Sequence, residues 1–157
     1  MATTLEVAQD EIYAQFRTVW VADTPALLGG SPLEAASIQY EDTTNWTGRP
    51  VGPDDDGRAW SRINIKHATG FQATLADGNG GSLHTQEGTV IVQVFADYKS
   101  NKGSTLAVQL AMIAKKAFMG KRTLNVWFKR VRYQEVGREG RWYQINVSAD
   151  FEWDERG

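Results

Sequence analysis

The sequence predicts an α+β fold, a mostly antiparallel β-sheet with two α-helices packed on one face, in a single domain spanning residues 1–157. Three observations lead there. Leu5, Ala8, Ile12, Phe16, Val19 and Trp20 recur at spacings of three and four, the period of a helix with one apolar face. Tyr143, Ile145, Val147, Ala149, Phe151 and Trp153 alternate without a miss against Gln144, Asn146, Ser148, Asp150 and Glu152. That is the period of a strand with one face buried and one wet. Finally, the order helix, strands, helix, hairpin suits an antiparallel sheet covered on one side.

Taken in order, the first helix runs from about Thr4 to Val21, capped by Thr3 or Thr4. "DTPALLGGSPLEA" breaks it with two prolines and a glycine pair, and is short enough to be a connector. A strand follows near Ser37 to Glu41, and "AWSRINIKH" alternates as a second, with Ile63 and Ile65 on one face. The glycine-rich stretch Gly70 to Gly88 then leads to "TVIVQVFADY", whose β-branched density marks a central strand. In "KSNKGSTLAVQLAMIAKKAFMGKR", Leu106, Leu110, Ile113 and Ala117 share one face of the second helix, with Ser104 as N-cap and Gly120 as stop. Two last strands, near Leu124 to Tyr133 and Trp142 to Trp153, form a hairpin across the polar turn "QEVGREGR".

Composition narrows the function. With 41% hydrophobic and 23% charged residues the chain reads as a soluble globular domain, and no apolar run approaches the roughly 20 residues a membrane span needs. The opening residues lack the order of a secretory signal. No cysteine is present, so disulfide and thiolate chemistry are excluded. The net charge of −2 does not make the chain a nucleic-acid binder by charge alone. The charges are nonetheless segregated. Glu34, Glu41, Asp42, Asp54, Asp55 and Asp56 meet only Arg49 in their segment. Lys115, Lys116, Lys121, Arg122, Lys129, Arg130, Arg132, Arg138 and Arg141 meet only Glu135 and Glu139 in theirs. Such polarity suits two solvated surfaces, or a protein that docks against copies of itself.

Motifs for chemistry are missing. Zinc needs clustered His or Cys donors, and only His67 and His84 are present, in different contexts. The nucleophile elbow, the Walker loop and the dinucleotide fingerprint do not occur. "PDDDGR" has the oxygen-rich start of a calcium loop, but counting from Asp54 puts Ile65 at the twelfth position, where a bidentate Glu is required. No catalytic residue, metal ligand or cofactor site is therefore assigned.

The layout resembles the tail terminator proteins of long-tailed bacteriophages. The match runs from about Ala8 to Trp153. It comprises the first helix, the isolated strand ending in Tyr40, Glu41 and Asp42, Trp46 and then "GRAWSRINI", and "EGTVIVQVFADYKSNKG" entering the second helix, with "GRWYQINVSADFEW" closing the chain. The chain departs from the family layout at Asp42, where an asparagine is expected, and in its aspartate run, which lengthens a loop. The resemblance implies a non-enzymatic virion protein, assembled in the host cytoplasm. It implies a homo-oligomeric ring of six subunits that caps the head-proximal end of the tail tube, stops its polymerisation and docks the head-side connector. Partners would be other copies of the chain, the tail tube protein and the connector. Double-stranded DNA would pass through the lumen without sequence-specific binding, and no membrane is involved.

On this reading the subunit or partner interface comprises Trp46 and Trp142, aromatics flanked by polar residues, with Asp54, Asp55 and Asp56 facing the neighbour's Lys129, Arg130 and Arg132. Gln72, Leu75, His84 and Gln86 join them from the segment Thr69 to Gly88, expected to be mobile in the free subunit and ordered against a neighbour. Two alternatives stand beside this: another connector or tail-completion protein of the same virion, or a small α+β enzyme with Tyr143, Trp127 or His67 lining a pocket and Asp150 as base.

Overall fold

The computed structural model describes residues 4–28, 35–40, 46–48, 59–68, 71–72, 83–97 and 103–156. Helices α1 (Leu5–Asp23), α2 (Pro25–Leu28) and α3 (Gly103–Phe118) accompany strands β1 (Ser37–Tyr40), β2 (Trp46–Thr47), β3 (Trp60–His67), β4 (Phe71–Gln72), β5 (Leu83–Asp97), β6 (Val126–Glu139) and β7 (Trp142–Arg156). The strands make one seven-stranded sheet in the order β2-β1-β3-β5-β7-β6, with β4 pairing with β5 beyond the end of β3. Only β1 and β3 run parallel among the described pairs. The α+β, mostly antiparallel architecture holds, with the short α2 and the parallel pair as additions.

Both long helices lie on one face. Thr4 caps α1, its hydroxyl accepting from the Val7 N–H at 3.2 Å. Ala8, Ile12, Phe16 and Trp20 are buried in register with the 3.6-residue period. At the far end the Trp20 indole N–H donates to the Ala36 carbonyl at 2.8 Å. The Thr24 hydroxyl donates to the Trp20 carbonyl at 2.7 Å and accepts from the Ala36 N–H at 3.0 Å, fixing α1 to the approach of β1. Helix α3 presents Ala107, Ala111, Ala114 and Ala117, all fully buried, and such small side chains let neighbouring elements approach closely. Phe16 stacks on Phe118 with centroids 6.1 Å apart, and the Gln15 side-chain amide donates to the Ala117 carbonyl at 2.8 Å. These residues join Val90, Val92 and Val94 of β5, Val147, Ala149, Phe151 and Trp153 of β7, and Val126 and Phe128 of β6 in one core.

Several boundaries differ from the sequence expectation. Ser104 lies inside the first turn of α3, not at its cap, whereas Gly120 does end the helical segment, in the left-handed region at φ +65°. Strand β5 begins at Leu83, so the end of the glycine-rich segment is strand, paired with β7 from Arg156 onward. Strand β6 continues to Glu139, leaving Gly140 and Arg141 as a two-residue turn. Gly140 takes φ +60° and Arg141 does not share it, the pattern of a type II′ hairpin turn. The polarity of Gln134 to Glu139 concealed this extension, because an edge strand needs no apolar outer side.

Candidate interaction surface

Strand alternation determines what the second face of the sheet carries, and the register arranges it in rows. One row runs Ser37, Trp60, Phe95, Gln144; the next runs Gln39, Arg62, Gln93, Asn146, Gln134. Asn64, Ile91, Ser148 and Arg132 follow, then Lys66, Thr89, Asp150 and Lys129. The face thus grades from aromatic, through an amide row with a single arginine, to a mosaic of charges. Among the described residues no helix packs on it.

At the aromatic end Trp60 stacks on Phe95 at 4.2 Å, meets Trp142 edge-on at 6.1 Å and lies 5.6 Å from Trp46. The Trp60 indole N–H is buried and has no partner among the described residues. Beside it the half-buried Arg62 is held from three sides. Its Nε donates to the Gln39 side-chain oxygen at 3.0 Å and a terminal nitrogen to that of Gln93 at 3.4 Å, while the guanidinium lies 5.3 Å from the Trp60 ring centroid. No carboxylate among the described residues pairs with it.

The charged end owes its geometry to a bulge. Lys129 pairs with Asp150 and Arg132 with Ser148, so Arg130 and Val131 together oppose Ala149. Arg130 adopts φ +51°, a left-handed conformation that costs a non-glycine residue roughly 1–2 kcal/mol. Asp150 stabilises it, accepting from Arg130 Nε at 3.1 Å, Arg132 at 3.3 Å and the Thr89 hydroxyl at 3.0 Å. Arg132 also donates to the Arg130 carbonyl at 2.8 Å, and Lys129 pairs with Glu152. A regular strand would place Lys129 and Arg132 on opposite faces; the extra residue brings both to this one.

The expected interface residues distribute as follows. Trp46 and Trp142, half-buried, both belong to the aromatic end. Lys129, Arg130 and Arg132 are gathered together, but around acids of their own chain. Gln72 and His84 are direct backbone partners across β4 and β5, their side chains lying outside the described residues. Gln86 pairs with Trp153 and shares the helix side of the sheet. Asp54, Asp55, Asp56 and Leu75 lie outside the described residues, as does most of the segment whose ordering was in question. Sequence reading missed Trp60, Arg62 and Phe95. The signal for Arg62 was present, since Ile63 and Ile65 facing the core put it on the other face.

The residues of the enzyme alternative are not brought together. Asp150 borders a recess of about 190 Å³ with Glu87, Thr89 and Arg130, below the roughly 300–1,000 Å³ of ordinary ligand pockets. Tyr143 packs against the core on the helix side. His67 lies edge-on to Phe151 at 5.8 Å, and burial holds its imidazole below the ordinary value. Trp127 lies under Arg122 at 4.9 Å. A second hollow, about 470 Å³, runs between α1 and the Thr123–Asn125 turn. There Glu11 accepts from the Thr123 hydroxyl at 2.6 Å and from the Asn125 side chain and backbone at 2.6 and 3.0 Å. Among the described residues no group of three or more His, Cys, Asp or Glu is placed to hold a metal, and no helix is long and apolar enough to cross a membrane.

No family model and no curated relative matches the chain. Solved structures do. One, which carries no descriptive name, is 17% identical over 92% of this chain and 94% of its own, with a TM-score of 0.54. Another, described as "Virion of native gene transfer agent (GTA) particle", is 19% identical over 98% of this chain and 100% of its own, with a TM-score of 0.44. At these identities, what the first of them establishes for this chain is its fold, shared along nearly the whole length of both chains.

Proposed function

We propose that the protein is a structural virion component, a homo-oligomeric ring that caps the head-proximal end of a bacteriophage tail tube, ends its polymerisation and docks the head-side connector. The whole-chain resemblance in layout motivates this reading. The observation that carries it is the sheet face that no described helix covers, with tryptophans at one end, hydrogen-bonding amides across the middle and charges beyond. Trp and Arg are the side chains that anchor protein interfaces. A net charge of −2 agrees with a conduit that lets DNA pass without holding its phosphates.

In such a ring each subunit meets its neighbours through two different patches. Asp54, Asp55 and Asp56 are the candidates on one side, and Lys129, Arg130 and Arg132 on the other. The arginine side chains are 67% and 54% exposed, and each gives only part of its guanidinium to Asp150, so outward N–H groups remain for a neighbour's carboxylate. Each such exposed pair contributes about 0.2–1 kcal/mol. Replacing all three aspartates with asparagine is therefore expected to weaken assembly while leaving the fold intact, and the wild-type assembly should loosen as salt rises. Sedimentation of both proteins across a salt series tests this. Equal assembly of the triple variant at every salt concentration would contradict the pairing, and a chain that stays monomeric with tube protein present would contradict the ring.

A further inference from the structure

Arg62 stands apart from the paired cations of the open face, and from Lys66, which is exposed to solvent. Lys129, Arg130 and Arg132 share Asp150 and Glu152, and Arg141 has Asp97. Among the described residues Arg62 has only neutral oxygens, from Gln39 and Gln93, and lies against Trp60 and Phe95. It is half-buried, so its charge is partly stripped of water, with no counter-ion among the described residues. The two glutamines and the ring stacking fix the fork's orientation in advance, and most of its N–H groups have no acceptor among the described residues. A planar, immobilised guanidinium with spare donors is a receptor for a carboxylate.

The opposite side of the molecule carries the complement. On the first turns of α1, Glu6 and Asp10 stand one helical turn apart, exposed, with no ion-pair partner among the described residues. Leu5 and Val7, 48% and 44% exposed, flank them on different sides of the helix. An exposed pair of carboxylates matches in charge an arginine set against two aromatic rings. Because the two patches lie on opposite faces of the sheet, their contact is head-to-tail, the geometry that generates rings.

We infer that Arg62, positioned by Gln39 and Gln93, receives a carboxylate from the amino-terminal half of α1 of a second copy of this chain. The inference rests on the ring reading and adds a contact separate from the aspartate loop. The test is a charge exchange read by sedimentation over a range of protein concentrations, with thermal melts confirming that each variant folds. Arg62→Glu and the double variant Glu6→Lys/Asp10→Lys should each raise the concentration needed for assembly at least tenfold, and a chain carrying all three changes should recover most of that loss. Arg62→Gln, milder in case Arg62→Glu fails to fold, should weaken assembly, and Arg62→Lys should weaken it less. A ring that forms equally well with Arg62→Gln overturns the inference alone, as does an exchange that restores nothing. A wild-type chain that never self-associates overturns both the inference and the ring.

Discussion

Adding one methyl group at Gly88 should destabilise the whole sheet. Gly88 sits in central strand β5 between His67 of β3 and Phe151 of β7. A Cβ built there falls inside contact distance of the Lys66 carbonyl oxygen, 2.6 Å from the Phe151 ring Cζ and 3.1 Å from the His67 Cα. Carbon atoms at rest keep about 3.5–4.0 Å apart. The ring can yield, but the carbonyl and the Cα belong to the backbone of the paired strand, so β3 must move. Forcing extra carbon into a packed core costs roughly 1–3 kcal/mol. In a domain of this size each kcal/mol lowers the melting temperature by about 2–4 °C, so Gly88→Ala should melt roughly 2–12 °C lower. Thermal unfolding followed by circular dichroism reads this directly. Phe151→Leu removes only the ring contact, so it should not rescue Gly88→Ala. A Gly88→Ala protein that melts with the wild type, or full rescue by Phe151→Leu, would refute the argument that backbone sets the limit.

At the bulge, Arg130→Gly relieves left-handed strain of roughly 1–2 kcal/mol, offset by the loss of one exposed ion pair, about 0.2–1 kcal/mol, and by the extra chain entropy of glycine, about 0.5–1 kcal/mol, so the net change should be small. Arg130→Val should be clearly less stable than Arg130→Gly in urea titrations, because a β-branched residue tolerates positive φ worst; equal stability would remove the strain from the account. Burial alone would raise the Glu11 carboxyl, but the hydrogen bonds from Thr123 and Asn125 outweigh it and leave the pKa lowered. A lowered folded-state pKa gives stability that is present above the ordinary glutamate range and lost as pH falls through the folded value. The melting difference between wild type and Glu11→Gln should accordingly be largest near neutrality and shrink in acid, and a difference independent of pH would count against it. Thr24→Val breaks the bridge from Trp20 to Ala36 and leaves a buried N–H unmet, at about 1–3 kcal/mol, which chemical denaturation should register.

Much of the fold was legible because periodicity is a local property. The uninterrupted alternation from Tyr143 to Trp153 and the stripe from Leu5 to Trp20 each report which side is buried. Ala8, Ile12, Phe16 and Trp20 and the alternate residues from Ile145 to Trp153 are buried as read, while Val19 and Tyr143 are half-buried. Leu5, in the first turn of α1, is exposed because the core begins only at Ala8. The surface was harder, because register and bulges are decisions between strands. Lys129, Arg130 and Arg132 read as a basic patch seeking a distant acid, yet the hairpin register lays Asp150 and Glu152 against them. Nothing local announces the bulge, since Arg130 occupies a conformation that glycine would signal. The row Gln39, Arg62, Gln93, Asn146 and Gln134 draws on five strands spread along the chain, so it exists only once they are paired.

Electron microscopy of tails assembled with and without this protein would read directly whether it ends a growing tail tube, as proposed. With the protein, tails should be of uniform length and carry a ring at the head-proximal end, and without it they should be overlong or headless. Tails of normal length, capped and joined to heads in its absence, would contradict the account.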